Sequence, residues 1–83
     1  MNKYKIFDRV ALARDFPEKD LLQGDVATIV DEHPDPDGGE AGYSLEIFNA
    51  LGETLTVIVV SESDLQPLNA NEILNARSLS FSA

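Results

Sequence analysis

Between residues 31 and 40 the chain reads DEHPDPDGGE, and Asp31, Glu32, His33, Asp35, Asp37 and Glu40 are its densest set of groups able to hold a cation or move a proton. From His33 onward the order His-x-Asp-x-Asp-Gly follows the front of a calcium loop, whose oxygen ligands alternate before a glycine at the sixth position. The pattern departs from such a loop twice. Its first position is an imidazole, a poor ligand for a hard cation, and its twelfth is Ser44 where a bidentate glutamate belongs. The prolines and glycines of the stretch suit a hairpin connection equally well. The primary expectation is therefore a structural turn with no metal centre, with Asp31, Asp35, Asp37 and Glu40 as the candidate ligands of a weak divalent-ion site.

Other chemistry finds less support. His33 is the only histidine and there is no cysteine, so no Ser–His–Asp or Cys–His set can be assembled, no disulfide framework exists and no thiolate can bind metal. No glycine-rich loop opens a helix to cradle a phosphate. Carboxylate pairs are easily found among fifteen acidic residues, but catalysis needs a desolvated cleft to drive their pKa values apart. A chain of 83 residues buries roughly 60–65% of its unfolded surface, which supports a thin core and no deep cleft. The expectation is a non-enzymatic protein with no catalytic residue and no cofactor.

The elements that would carry these residues read as short strands. Leu22–Val30, LQGDVATIV, starts with an apolar anchor, turns at Gly24 and runs into β-branched residues suited to a half-buried sheet. Arg9–Arg14 is expected as the first strand, with Val10 and Leu12 on one face. Asp15–Gln23 is expected as a long loop whose Leu21 or Leu22 returns to the core. The second strand spans about Asp25–Glu32. Tyr43–Phe48 alternates as a third, with Tyr43, Leu45 and Ile47 facing one way and Ser44 and Glu46 the other. Asn49–Gly52 is a tight turn, and Glu53–Val60 is the fourth strand. One helical turn and a short edge strand holding Pro67 complete the set.

In the fourth strand Thr54 and Thr56 mark an outward face. Continuing that parity points Leu55, Val57 and Val59 inward and leaves Ile58 and Val60 outward, unless a bulge turns the latter pair in. Aliphatic side chains on an outer face call for a cover. The tail from Asn69 to Ala83 carries apolar residues of its own: Asn69 and Glu72 are spaced to cap a short helical turn, and Ser78–Ala83 alternates like a strand. The expected cover of Ile58 and Val60 is therefore this tail, through Ile73, Leu74, Leu79 or Phe81, or a second copy of the chain. Ile58, Val60, Ile73, Leu74 and Phe81 are the candidate partner-binding residues.

Charge is unevenly placed. Residues 1–19 hold five of the six basic residues, whereas residues 20–76 hold twelve acids and no lysine or arginine; the net charge is −9. Such a block repels phosphate backbones and anionic lipid headgroups, which argues against nucleic acid and membrane surfaces as partners. It suits a solvated, soluble surface or a basic protein partner. The start lacks the apolar run of a signal peptide, and no stretch approaches transmembrane length, so a soluble cytoplasmic protein is expected.

Five short strands, a long first loop and a helical turn before the last strand describe an all-β, five-stranded SH3-like barrel over residues 1–68, followed by a 69–83 tail. The spacing of Leu22-x-Gly24-Asp25-Val26-Ala27-Thr28-Ile29-Val30, Tyr43-Ser44-Leu45-Glu46-Ile47-Phe48, Gly52-Glu53-Thr54 and Asp64-Leu65-Gln66-Pro67-Leu68 resembles a family of small uncharacterised bacterial proteins over residues 5–68. The resemblance implies an SH3-like fold without an assigned activity, in short genes that often lie beside another small gene in a toxin–antitoxin-like arrangement. Residues Gly24–Val30 are also similar to the opening strand of KOW-type barrels, but those meet RNA with basic loops and the loops here are acidic. A proline-peptide groove of the SH3 kind would need an aromatic lining, and this chain has no tryptophan. The leading expectation is an acidic protein–protein interaction module of antitoxin or immunity type. An accessory subunit or assembly factor of a larger complex is the alternative, and an ion-binding protein using the 31–40 loop is a third reading.

Overall fold

In the computed structural model, which describes residues 3–79, five strands form one antiparallel sheet. They are β1 (Arg9–Leu12), β2 (Val26–His33), β3 (Gly42–Phe48), β4 (Thr54–Ser61) and β5 (Leu65–Pro67). The spatial order β4-β3-β2-β1-β5 sets the first and last strands side by side and leaves β4 and β5 as the two edges. This is the expected all-β, five-stranded, barrel-like architecture.

The inner face follows from the alternation of the strands. Val10 and Leu12 of β1, Ala27 and Ile29 of β2, and Tyr43, Leu45 and Ile47 of β3 are buried together, and Leu65 of β5 joins them. Tyr4, Phe16 and Leu21, outside the strands, close the ends of this core. Each large aliphatic side chain removed from water here contributes roughly 1.5–3 kcal/mol. The turn into β2 is built as its residues dictate: Gly24 takes φ +93°, and its N–H donates to the Leu12 carbonyl at 2.8 Å. The Asp25 carboxylate meanwhile accepts from the Leu22 N–H at 2.8 Å. At the β3–β4 turn the Asn49 Oδ1 accepts the N–H groups of both Leu51 and Glu53 at 2.9 Å, and Gly52 supplies the positive φ. Ser61 and Asp64 cap a 3₁₀ turn at Glu62–Asp64, the expected helical turn before β5.

Two bulges flank β3. Register shifts leave Val30 of β2 and Leu55 of β4 as extra residues against it. A bulge adds one residue to one strand, bends it and exchanges the faces beyond it. In β2 the exchange turns Asp31 and His33 outward, where both are exposed, and sets the half-buried Glu32 opposite Tyr43.

In β4 the same device reverses the expected parity. Ile58 and Val60 are 6% and 5% exposed and belong to the core, opposite Leu45 and Tyr43. Val57 and Val59 instead stand outward at 55% and 69% exposure, with Leu55 at the bulge also exposed. Of the two leucines expected to anchor the first loop, Leu21 is buried and Leu22 is exposed, because Leu21 bridges back to Phe16 while Leu22 sits in the turn that Asp25 holds.

The tail departs from its expected place. Asn69 and Glu72 do bond reciprocally, the Asn69 N–H to the Glu72 carboxylate and the Glu72 N–H to the Asn69 carbonyl, but only a turn results. From there to Leu79 the chain is irregular. Ile73 is 93% exposed and Leu74 is exposed; both line a groove with Leu55 of β4 and Phe48 of β3, and Val57 and Val59 lie outside it. Residues Leu74–Leu79 form one wall of this groove, of about 850 Å³, whose other wall includes Ala11 and Val26 of the outward side of β1 and β2. Ala11 is thereby buried although it lies outside the main core. Phe81 lies outside the described residues.

Candidate interaction surface

The outward side of β4 is where the fold exposes apolar surface in a regular row. Leu55, Val57 and Val59 line it, and Phe48, next to the turn on β3, extends it. All four belong to an eight-residue edge strand or its neighbour, and β4 itself, TLTVIVVS, contains no charge and no proline. Edge strands are ordinarily blunted by shortness, proline, charge or cover. The other edge follows that rule, since β5 has three residues and ends at Pro67. The β4 edge does not.

Its backbone is open as well. The Glu62 N–H donates to the Ala41 carbonyl at 2.9 Å, which sets the phase of the β3–β4 ladder. In an antiparallel pair the backbone groups of alternate residues face opposite sides. Ile58 and Val60 therefore turn their N–H and C=O toward β3, whereas Val57 and Val59 turn theirs to the free edge. Among the described residues no strand pairs with that side of β4, so the same two residues expose an aliphatic side chain and present a donor and an acceptor there.

Acidic groups frame this row. Glu46 stands opposite Val57 on the outward side of β3, Glu53 precedes β4 and Glu62 follows it. Each is held in place by a neutral partner: Glu46 accepts from the Thr54 hydroxyl, Glu53 from the Asn49 amide at 2.8 Å, and Glu62 from the Tyr43 hydroxyl at 3.2 Å. Neither the Arg14–Asp64 nor the Arg77–Asp25 ion pair involves them. Burial and the neighbouring Glu62 hold the Tyr43 phenol above its ordinary pKa, so it remains the donor to Glu62.

The 31–40 stretch is arranged differently from a cation site. The Asp31 carboxylate accepts from the Glu32 N–H at 2.8 Å and that of Asp35 from the Asp37 N–H at 2.9 Å. The Glu40 carboxylate accepts from the Ser63 N–H, and the His33 ring bonds the Ser44 hydroxyl at 2.7 Å. Asp31 and Asp35 thus hold their own neighbouring residues, while Glu40 ties the loop to the 3₁₀ turn before β5 and His33 joins β2 to β3. Among the described residues no three acidic or histidine side chains are grouped to hold a metal ion.

One long-range contact lies outside every motif in the sequence. Arg77 reaches back across the groove to Asp25, its Nε donating to Oδ1 at 2.9 Å, while its Nη2 donates to the Asp20 carbonyl at 3.2 Å. Burial pushes the Asp25 carboxyl up, but the Arg77 hydrogen bonds and charge and the Leu22 N–H outweigh it, and the group is held below its ordinary 3.8. Arg77, the only basic residue after Lys19, carries the signal in its isolation, but nothing in the spacing names a partner 52 residues away.

No helix among the described residues is long and apolar enough to cross a membrane. A family model, that of a domain of unknown function (DUF4926), matches residues 6–67. No curated protein and no solved structure matches the chain.

Proposed function

Because the chain belongs to the DUF4926 family, which has no assigned activity, we propose from its own surface that it is a non-enzymatic protein–protein interaction module whose partner is basic. The observation that carries this reading is the uncharged outward row of β4, Leu55, Val57 and Val59, left exposed within an acidic frame. Exposed apolar side chains in a contiguous row gain from being covered, and the surrounding carboxylates favour a positively charged cover. A neutralising role toward a basic toxin-like protein fits that surface, with an SH3-like barrel in a bacterial cytoplasm as its setting; docking as an accessory subunit of a larger assembly is the second reading, favoured by the same open edge.

Site-specific photo-cross-linking tests it. A photoreactive residue at position 57 or 59 should give a discrete adduct in cells, whereas one at the exposed Glu18 should not. Absence of any adduct from β4, or the same adducts from position 18, would remove the assignment.

A further inference from the structure

We infer that the β4 edge is a strand-addition site, and that its occupant is an extended segment of another protein with β-branched or apolar residues at its centre and lysine or arginine at both ends. The inference rests on the interaction reading above and adds the chemistry of the partner. Val57 and Val59 offer two N–H and two C=O groups along the open edge, the arrangement that an added strand pairs with. Their side chains, and that of Leu55, give the added strand an apolar neighbour on the outward side. Of the two edges, β5 is closed to such pairing by its length and by Pro67, so the sheet can extend in one direction only.

Charge decides between a foreign strand and a second copy. Glu53 and Glu62 lie at the two ends of β4, about 30 Å apart in an extended chain. A twofold pairing that sets Val57 of one copy across from Val59 of the other would bring Glu53 of each beside Glu62 of its mate. It would also join two molecules of net charge −9. Like charges placed across strands destabilise the pair. A segment with basic ends meets both carboxylates with opposite charge and leaves the neutral centre to backbone bonds and aliphatic contact.

The test uses the full chain, labelled with nitrogen-15, and three blocked synthetic peptides. The first is Lys-Arg-Thr-Val-Thr-Val-Thr-Arg-Lys, the second replaces its basic ends with glutamates, and the third keeps the basic ends but carries an N-methyl group on every central residue, so that neither of its edges can donate. The first peptide should slow hydrogen exchange at the Val57 and Val59 amides by about tenfold or more, and bind about tenfold tighter than the second. The N-methylated peptide should fail, because it cannot donate to the edge. Val59→Lys, at an exposed position, should keep the melting temperature and lose the first peptide. The proposal is overturned if the first peptide leaves the Val57 and Val59 amides unchanged, or if acidic and basic ends bind alike. It is equally overturned if those amides are already protected in a concentration-dependent dimer, which would make the occupant a second copy. Cross-linking from positions 57 and 59 without any peptide response would keep the interaction reading and reject strand addition.

Discussion

At the scale of single residues, two tyrosines packed edge to face, with ring centroids 5.7 Å apart, are expected to answer the same change in opposite ways. The Tyr43 hydroxyl accepts from the Tyr4 N–H and donates to Glu62, whereas the Tyr4 hydroxyl is buried with no hydrogen-bond partner among the described residues. Losing a hydrogen-bonded hydroxyl costs about 1 kcal/mol, and an unpaired buried one is itself a penalty. Tyr43→Phe should lower the free energy of unfolding by about that much, and Tyr4→Phe should leave it unchanged or raise it. Urea denaturation of both variants checks the pair; equal losses would mean that Tyr4 has a partner in solution.

At the scale of elements, the bulge at Leu55 is the feature with the largest consequence, because it decides which side chains of β4 are core. Ile58→Ala should cost about 2–5 kcal/mol, as cavity-forming changes do, while Val57→Ala should cost no more than about 0.5 kcal/mol. A comparable loss at the two positions would contradict the register. The tail makes a second element-level case. Asp25 is held below its ordinary pKa when folded, so its contribution to holding Arg77 is complete above about pH 4 and is lost as pH falls through the depressed value. Followed through the Arg77 Nε–H signal, the tail should stay docked from neutral pH to about pH 4 and release below it. Asp25→Asn should release it at neutral pH. Docking that is indifferent to both changes would show that the tail is held by the groove walls alone.

How far these elements were legible in the chain varies with the kind of signal. Tyr43, Leu45 and Ile47 announce their strand because β3 alternates without interruption, and Gly24, Asn49 and Gly52 announce turns by residue type. Val57 to Val60 are four β-branched residues in a row, which carry no alternation from which to read a face. The extra residue that reverses them, Leu55, has no local mark such as a glycine, and the choice of Leu21 over Leu22 was likewise settled by the bridge to Phe16. The sequence therefore points Ile58 and Val60 outward, whereas the structure buries them and exposes Val57 and Val59. The Arg77–Asp25 contact, by contrast, is tertiary and has no periodicity to betray it.

At the scale of the whole molecule, the separation of charge along the sequence becomes an electrostatic frame around one neutral edge. Glu46 and Glu53 lie beside that edge and Glu62 at its end, where it accepts from the Tyr43 hydroxyl, and neither the Arg14–Asp64 nor the Arg77–Asp25 ion pair involves them. Exposed charges are screened beyond about 8 Å at physiological ionic strength. Association with a basic partner should consequently slow as salt rises from low to physiological levels, an effect on the association rate more than on dissociation. Stopped-flow mixing over that range checks it, and a rate indifferent to salt would leave the charge of −9 with a role in solubility alone.

The most direct measurement is the affinity for the partner captured by the β4 photo-adduct, compared between the wild type and the Val57→Lys, Val59→Lys double variant at matched melting temperature. Both residues point away from the core, so the fold should survive the change. Lysines on this edge remove the aliphatic row and place charge where an edge strand resists pairing. Affinity should fall by about a hundredfold or more, with unfolding unaltered. Full affinity in the folded double variant would contradict the assignment of the β4 edge as the functional surface of this protein.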